Sequence, residues 1–344
     1  MRLLLVTLTA LTLSAAEGTF QNPLLPSGAD PQSIHHDGWY YYTHTTGRNL
    51  TLWRTQSIAR LAEAEKRVVW TPPADTAWSK QIWAPELHRI DGKWYLYFAA
   101  DDGRNRNHRL YVIENASRDP MQGEWVFRGQ VKTPDDKWAI DASVFPYGGR
   151  WYLLWSGWEG DENGRQDLYI ARLTNPWTTM GPRVRISKPE LAWETVGDIG
   201  KPGPDDKPHV DVNEGPEALV RNGRVFIVYS GSGCWTDSYA LGMVWADAGS
   251  DLLSAKSWKK WSEPVFRAQG VSGTFAAGHH SFFRSPDGTQ DWILYHANSE
   301  AGQGCGAKRS PRAQPFRWRA DGFPDFGQPV PAGVELPIPS EGVK

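Results

Sequence analysis

A chain of 344 residues with 37 basic and 39 acidic side chains carries a formal charge of −2, so it lacks the cationic surplus that binding to nucleic acid requires. Its two cysteines have no CxxC spacing, which argues against a zinc site, and its one long apolar run (residues 3–13) is too short to cross a bilayer. No nucleic-acid or membrane partner is therefore expected.

The run follows Met1-Arg2 and ends in Ser14-Ala15-Ala16. A basic start, a short apolar stretch and small residues read as a secretory leader, residues 1–16, with residues 17–344 as one exported domain, secreted or periplasmic. In that compartment the pair Cys234 and Cys305 is expected to form a disulfide, because both follow equivalent aromatic strands.

Five aromatic runs come next: Trp39-Tyr40-Tyr41-Tyr42, Trp94 to Phe98, Trp151 to Trp155, Val225 to Tyr229 and Trp292 to Tyr295. Each follows a glycine turn, such as Asp37-Gly38, Asp91-Gly92, Asn222-Gly223 or Asp287-Gly288. A unit of about 55–75 residues is the length of a four-stranded blade, and five of them predict an all-β, five-bladed propeller. Helical patterning is confined to residues 58–66, where a turn or two is expected between strands. The longest irregular stretch, residues 196–212, leads into Asn213-Glu214, and long loops in compact domains tend to serve function. Most of the 19 tryptophans should pack between blades, with Trp83, Trp158 and Trp235 as candidates to face a sugar ring.

Upstream of each turn lies a polar motif: Asp30-Pro31, Pro85-Glu86, Asp141-Ala142, Glu214-Gly215-Pro216 and Gly278-His279. On equivalent inner strands these converge on one mouth of a central channel. Several carboxylates there raise one another's pKa, and cleavage of a glycosidic bond asks for one carboxylate kept ionised and one carboxylic acid kept protonated.

The motifs Ala29-Asp30-Pro31, Trp83 to Leu87, Ala139-Ile140-Asp141-Ala142, Asn213 to Pro216 and Gly278 to Phe282 resemble glycoside hydrolase family 43. They cover the chain after the leader in the right order. The strings Tyr42 to Thr46, Tyr229 to Asp237 and Arg309 to Pro315 look most like its exo-acting α-L-arabinofuranosidase branch. The resemblance implies Asp30 as general base, Asp141 as the residue that orients the acid and raises its pKa, and Glu214 as general acid. Glu217 is the competitor for that last role and is otherwise expected at the substrate. Trp83 and Arg309 are expected to bind the sugar, and Glu86 to stand behind the site. His279 resembles an axial histidine that orders an ion, commonly calcium, on the propeller axis; no organic cofactor is implied. The implied partner is a plant cell-wall or other furanose-containing polysaccharide, acted on by a monomer with inversion. A β-D-xylosidase or β-D-galactofuranosidase would use the same three carboxylates. A non-catalytic sugar-binding propeller would repeat one motif on every blade, and the five motifs here differ.

Overall fold

The computed structural model describes residues 18–203 and 207–341, so the proposed leader, residues 1–16, lies outside the described residues. Five four-stranded antiparallel sheets follow one another along the chain. Blade one comprises Gln32–His36, Trp39–Thr43, Leu50–Thr55 and Glu65–Trp70; blade two, Lys80–Ile90, Lys93–Asp101, Arg109–Asn115 and Val126–Gln130. Blade three comprises Ala139–Tyr147, Arg150–Gly157, Arg165–Asn175 and Thr178–Ser187; blade four, Asp211–Arg221, Arg224–Gly231, Ala240–Asp247 and Lys259–Lys260. Blade five runs through Phe275–Arg284, Asp291–Asn298, Ser310–Trp318 and Pro324–Asp325. The fold is the five-bladed propeller that the repeat predicts.

All five aromatic runs are second strands of their blades and are buried almost throughout, with Trp94, Trp155 and Trp292 at most 1% exposed. The core lies between blades. Tyr41, Leu50 and Leu52 of blade one pack with Leu87, Leu96 and Phe98 of blade two. Phe145, Leu154 and Ile170 of blade three pack with Val225, Ile227 and Val244 of blade four in the same way. Flat apolar and aromatic side chains stacked face to face remove area from water on both sides of every sheet, which is why strands this rich in Trp and Tyr suit the fold. The candidate helix is a short 3₁₀ stretch, Ile58–Glu63, held by buried Ile58 and Leu61.

Closure is made by the chain ends. Thr19–Gln21 pairs with Glu335–Pro337, and the Asn22 side chain brackets Ala313, donating to its carbonyl at 2.9 Å and accepting from its N–H at 3.0 Å. Blades three and four are also joined by a short parallel pairing of Arg165 and Gln166 with Asp211 and Val212.

One feature of the inner strands decides what reaches the axis. Each blade has an equivalent residue there with left-handed backbone: Asp30 (φ 56°), Ala84 (42°), Asp141 (58°), Gly215 (55°) and His279 (41°); blades two and five have a second one three residues earlier, Gln81 (48°) and Ala276 (50°). In blades two to five a β-bulge falls at this residue. The extra residue of a bulge breaks the ladder and re-aims a side chain, here toward the channel mouth. Glycine is favoured in blade four because, at this left-handed φ, a Cβ at 215 would also press on the His279 ring at 3.2 Å.

Candidate active site

The five left-handed positions open onto a cavity of about 360 Å³. Asp30, Asp141 and His279 reach it from the left-handed positions themselves. In blades two and four that position carries Ala84 and Gly215, and the preceding residues, Trp83 and Glu214, take the place at the wall.

Asp30 is 7% exposed and clamped at both oxygens. Arg309 Nη1 donates to Oδ1 at 2.9 Å, and Thr45 Oγ1 donates to Oδ2 at 2.6 Å. His279 Nδ1 lies 3.3 Å from Oδ1, and the Asp30 N–H donates to His296 Nδ1 at 3.1 Å. Burial pushes this carboxyl up, but Arg309, His279, His296 and the Thr45 bond outweigh it and hold Asp30 well below the usual carboxylate range. It is an anion at every working pH.

Glu214 stands in the opposite condition. Burial, with Asp30 nearby, raises it to about 7 against the Tyr239 hydroxyl, which donates to its Oε1 at 2.7 Å, and against Arg309. Asp141 is pushed up by burial first, then by the charges of Glu214 and Asp30, and accepts the Gly215 N–H at 2.9 Å. That bond ties Asp141 to the corner on which Glu214 sits. One cavity thus holds a carboxylate favoured as the anion by the Arg309 guanidinium and a second carboxyl whose pKa burial and like charge raise to about 7.

Three comparisons with known proteins bear on the chain that carries this site. The model of "Glycosyl hydrolases family 43" matches residues 20–324. The chain belongs to that family. It is 40% identical, over 92% of its length, to an extracellular exo-α-(1→5)-L-arabinofuranosidase of Streptomyces avermitilis, and spans 65% of that relative. An enzyme of the same name from Streptomyces chartreusis is 39% identical over 81% of this chain and 82% of the relative. Among solved structures, the α-L-arabinofuranosidase of Lactobacillus brevis superposes with a TM-score of 0.83 at 38% identity, covering 92% of this chain and 98% of that one.

The remaining walls of this family-43 cavity come from the loops. Trp83 stacks on His108 (centroids 4.0 Å apart), and Trp235 stands beside the Cys234–Cys305 disulfide, whose Cα atoms are 5.2 Å apart. The expected bridge is therefore present, and it lines the cavity. Ile199 and Val210 bring the long loop to the mouth, where His209 is held between Asp198 (2.6 Å) and Asp211 (2.9 Å). Trp158 does not face the cavity: it is 2% exposed and stacks under Trp138, which does. Sequence reasoning missed Trp138, Gln166, Thr45 and Tyr239. The string Tyr42 to Thr46 had singled out the neighbourhood of Thr45, without a role.

Glu217 requires a correction. It is not at the cavity that holds Asp30 and Glu214 but in a separate one lined also by Ser33, His35 and His88. Counting from the left-handed residues explains the placement. Two positions on lie Gln32, Glu86, Ser143, Glu217 and Ser281, a second polar layer. Ser143 donates to Glu217 at 3.3 Å, Glu86 lies 2.8 Å from His88 Nε2, and Ser281 donates to the Pro31 carbonyl at 3.0 Å. Glu86, expected behind the site, belongs to this layer. Arg312 is fully buried, bonded to the hydroxyls of Thr274 (2.7 Å) and Ser299 (3.1 Å), and has no part in the cavity.

Burial raises Glu86 to about 8, with a Ser143 bond opposing. A folded pKa above the unfolded value costs stability progressively as pH rises from the unfolded pKa, and fully above the folded one. Glu86→Gln should therefore raise the melting temperature at pH 8 and change it little at pH 4, as read by calorimetry across that window.

The ion implied at His279 would be ordered through water, with no protein-built cage of three or more His, Cys, Asp or Glu among the described residues; calcium takes six to eight oxygens. The His279 Nδ1 is beside Asp30, and the ring covers Gly215. No step below runs through an ion.

Proposed function

We propose that this chain is an inverting exo-α-L-arabinofuranosidase that removes single L-arabinofuranose units from the non-reducing ends of arabinan or arabino-oligosaccharides. The observation that carries the reading is two buried carboxyls in one cavity with opposed surroundings, Asp30 bonded by Arg309 and Thr45 and so shifted down, Glu214 buried under Tyr239 and shifted up. The names and the extent of the Streptomyces relatives and of the Lactobacillus structure support the sugar and the exo mode. The relatives' designation as extracellular, with the leader-like residues 1–16, supports export. We take the catalytic propeller to act as a monomer.

In this reading Asp30 takes a proton from a water as its oxygen bonds to the anomeric carbon. Glu214 gives its proton to the leaving oxygen as the glycosidic C–O bond breaks. The water must fit between base and sugar, so the anomeric configuration inverts. Asp141 positions the Glu214–Gly215 corner and, by its proximity, disfavours early loss of the acid's proton. Arg309, at the cavity wall, both keeps Asp30 charged and presents donors to furanose hydroxyls, with Trp83 as a stacking wall.

Digestion of linear α-1,5-arabino-oligosaccharides should yield free arabinose from the first time points, with oligomers shortened one unit at a time on chromatography. Early release of dimers and trimers would make the enzyme endo-acting. Turnover of an aryl galactofuranoside with none of the arabinofuranoside would move it to another sugar with the same acids.

A further inference from the structure

Thr45 sits in the loop after the second strand of blade one, at a junction between the base and the wall of the next blade. Its Oγ1 lies 2.6 Å from Asp30 Oδ2 and 2.7 Å from the backbone nitrogen of Ala84. A hydroxyl has one proton. The Ala84 N–H is a donor only, so Thr45 must accept there and commit its own proton to Asp30. The direction of this chain is thus fixed by covalent chemistry: Ala84 N–H to Thr45 Oγ1, Thr45 O–H to Asp30 Oδ2.

Both ends of the chain are unusual. Asp30 and Ala84 each carry a Cβ at left-handed φ, 56° and 42°, which costs about 1–2 kcal/mol per residue and must be held by the surroundings. Arg309 and His279 meet only Oδ1, so among the described residues Thr45 supplies the side-chain bond at Oδ2. Without it the carboxylate is free to rotate about its Cβ–Cγ bond, and the oxygen facing the attacking water loses its fixed direction. The wall is anchored differently. Gly47 and Ile82 exchange backbone bonds at 3.1 and 3.3 Å, and these hold the same loop to Trp83 whatever side chain stands at 45.

We infer that Thr45 is a positioning residue for hydrolysis: its hydroxyl, polarised by the Ala84 N–H, fixes the Asp30 carboxylate plane against the attacking water, so that its loss lowers kcat and leaves sugar binding nearly intact. This rests on Asp30 being the general base.

Thr45→Val keeps the volume and removes both bonds. A hydrogen bond to a charged group is typically worth about 10- to 100-fold in rate terms, so kcat should fall by that factor. KM should stay within about threefold because the Gly47–Ile82 bridge remains. The loss should be the same for an arabino-oligosaccharide and for an aryl arabinofuranoside, since water must be activated whatever the leaving group. Thr45→Ser should recover most of the rate, and Thr45→Cys, with a weak donor and acceptor, should fall between. If the valine variant does not fold, the cysteine and serine variants carry the comparison, each checked by its melting temperature. Wild-type kcat in the valine or cysteine variant overturns the inference, as does a loss confined to KM, a loss seen only with the poor leaving group, or a serine variant as slow as valine. A fully active Asp30→Asn enzyme would overturn the base assignment itself; an inactive one beside a fully active Thr45→Val would overturn this inference alone.

Discussion

Asp30→Asn should abolish turnover of every substrate, aryl glycoside and oligosaccharide alike, by roughly 10²–10⁴-fold in kcat. The amide cannot take a proton from water, and a better leaving group does not relieve that need. The substitution also removes the negative charge that Arg309 and His279 face at 2.9 and 3.3 Å, so a compensating protonation elsewhere does not restore the base. Proton NMR of wild-type product in the first minutes, before mutarotation, should show the inverted anomer. A retained anomer would assign Asp30 to a nucleophile's role, and the two carboxyls would then have to lie within about 5–5.5 Å instead of the 6.5–9.5 Å that leaves room for water.

Glu214→Gln should separate substrates that Asp30→Asn does not. On an arabino-oligosaccharide, whose leaving alkoxide needs a proton, the loss should again reach roughly 10²–10⁴-fold. On an aryl arabinofuranoside with a leaving group of low pKa it should be far smaller. The pH profile gives the second reading. Glu214 is raised to about 7 and acts in its protonated form, so wild-type kcat/KM on the oligosaccharide should decline as pH rises through about 7. In the glutamine variant, on the aryl substrate, that decline should disappear. Glu217→Gln is the control: its carboxyl bonds Ser143 in the deeper layer and should leave both rate and profile close to wild type. If the two variants exchanged behaviours, the acid would be Glu217.

Periodicity made the architecture legible. Five aromatic strands, each after a glycine turn, could bury both faces only by stacking blade on blade, and all five proved to be second strands. Asp30, Asp141, Glu214 and His279 were likewise found by position, because a strand start at the axis has few places to send a polar side chain, whereas Arg309 came with the family resemblance and Trp83 as one of several tryptophan candidates. Residue type alone misled for Glu217. It sits two residues after the left-handed position of its blade, as Glu86 does, and that offset carries it out of the catalytic cavity to the layer where Glu86 was expected. A sequence aligned on its acids sees five equivalent motifs; aligned on backbone, the five are Asp30, Ala84, Asp141, Gly215 and His279, and two of them carry no functional group.

Local chemistry was therefore enough to determine the repeat, the disulfide partners and which residues open the inner strands, since those depend on turn residues, β-forming side chains and spacing within about one blade. What only the tertiary structure decided was the state and the support of each acid. Asp30 is ionised because Arg309, 279 residues away in sequence, lies against it. The Glu214 pKa is raised to about 7 because the carboxyl is buried near the Asp30 charge, against the opposing pull of the Tyr239 hydroxyl and of Arg309. Thr45 can donate only to Asp30 because an N–H from the next blade occupies its lone pair. Charge and hydrogen-bond direction at this site come largely from closing the ring: Arg309 stands on a different blade from Asp30 and Ala84 on a different blade from Thr45, while Tyr239 belongs to Glu214's own blade.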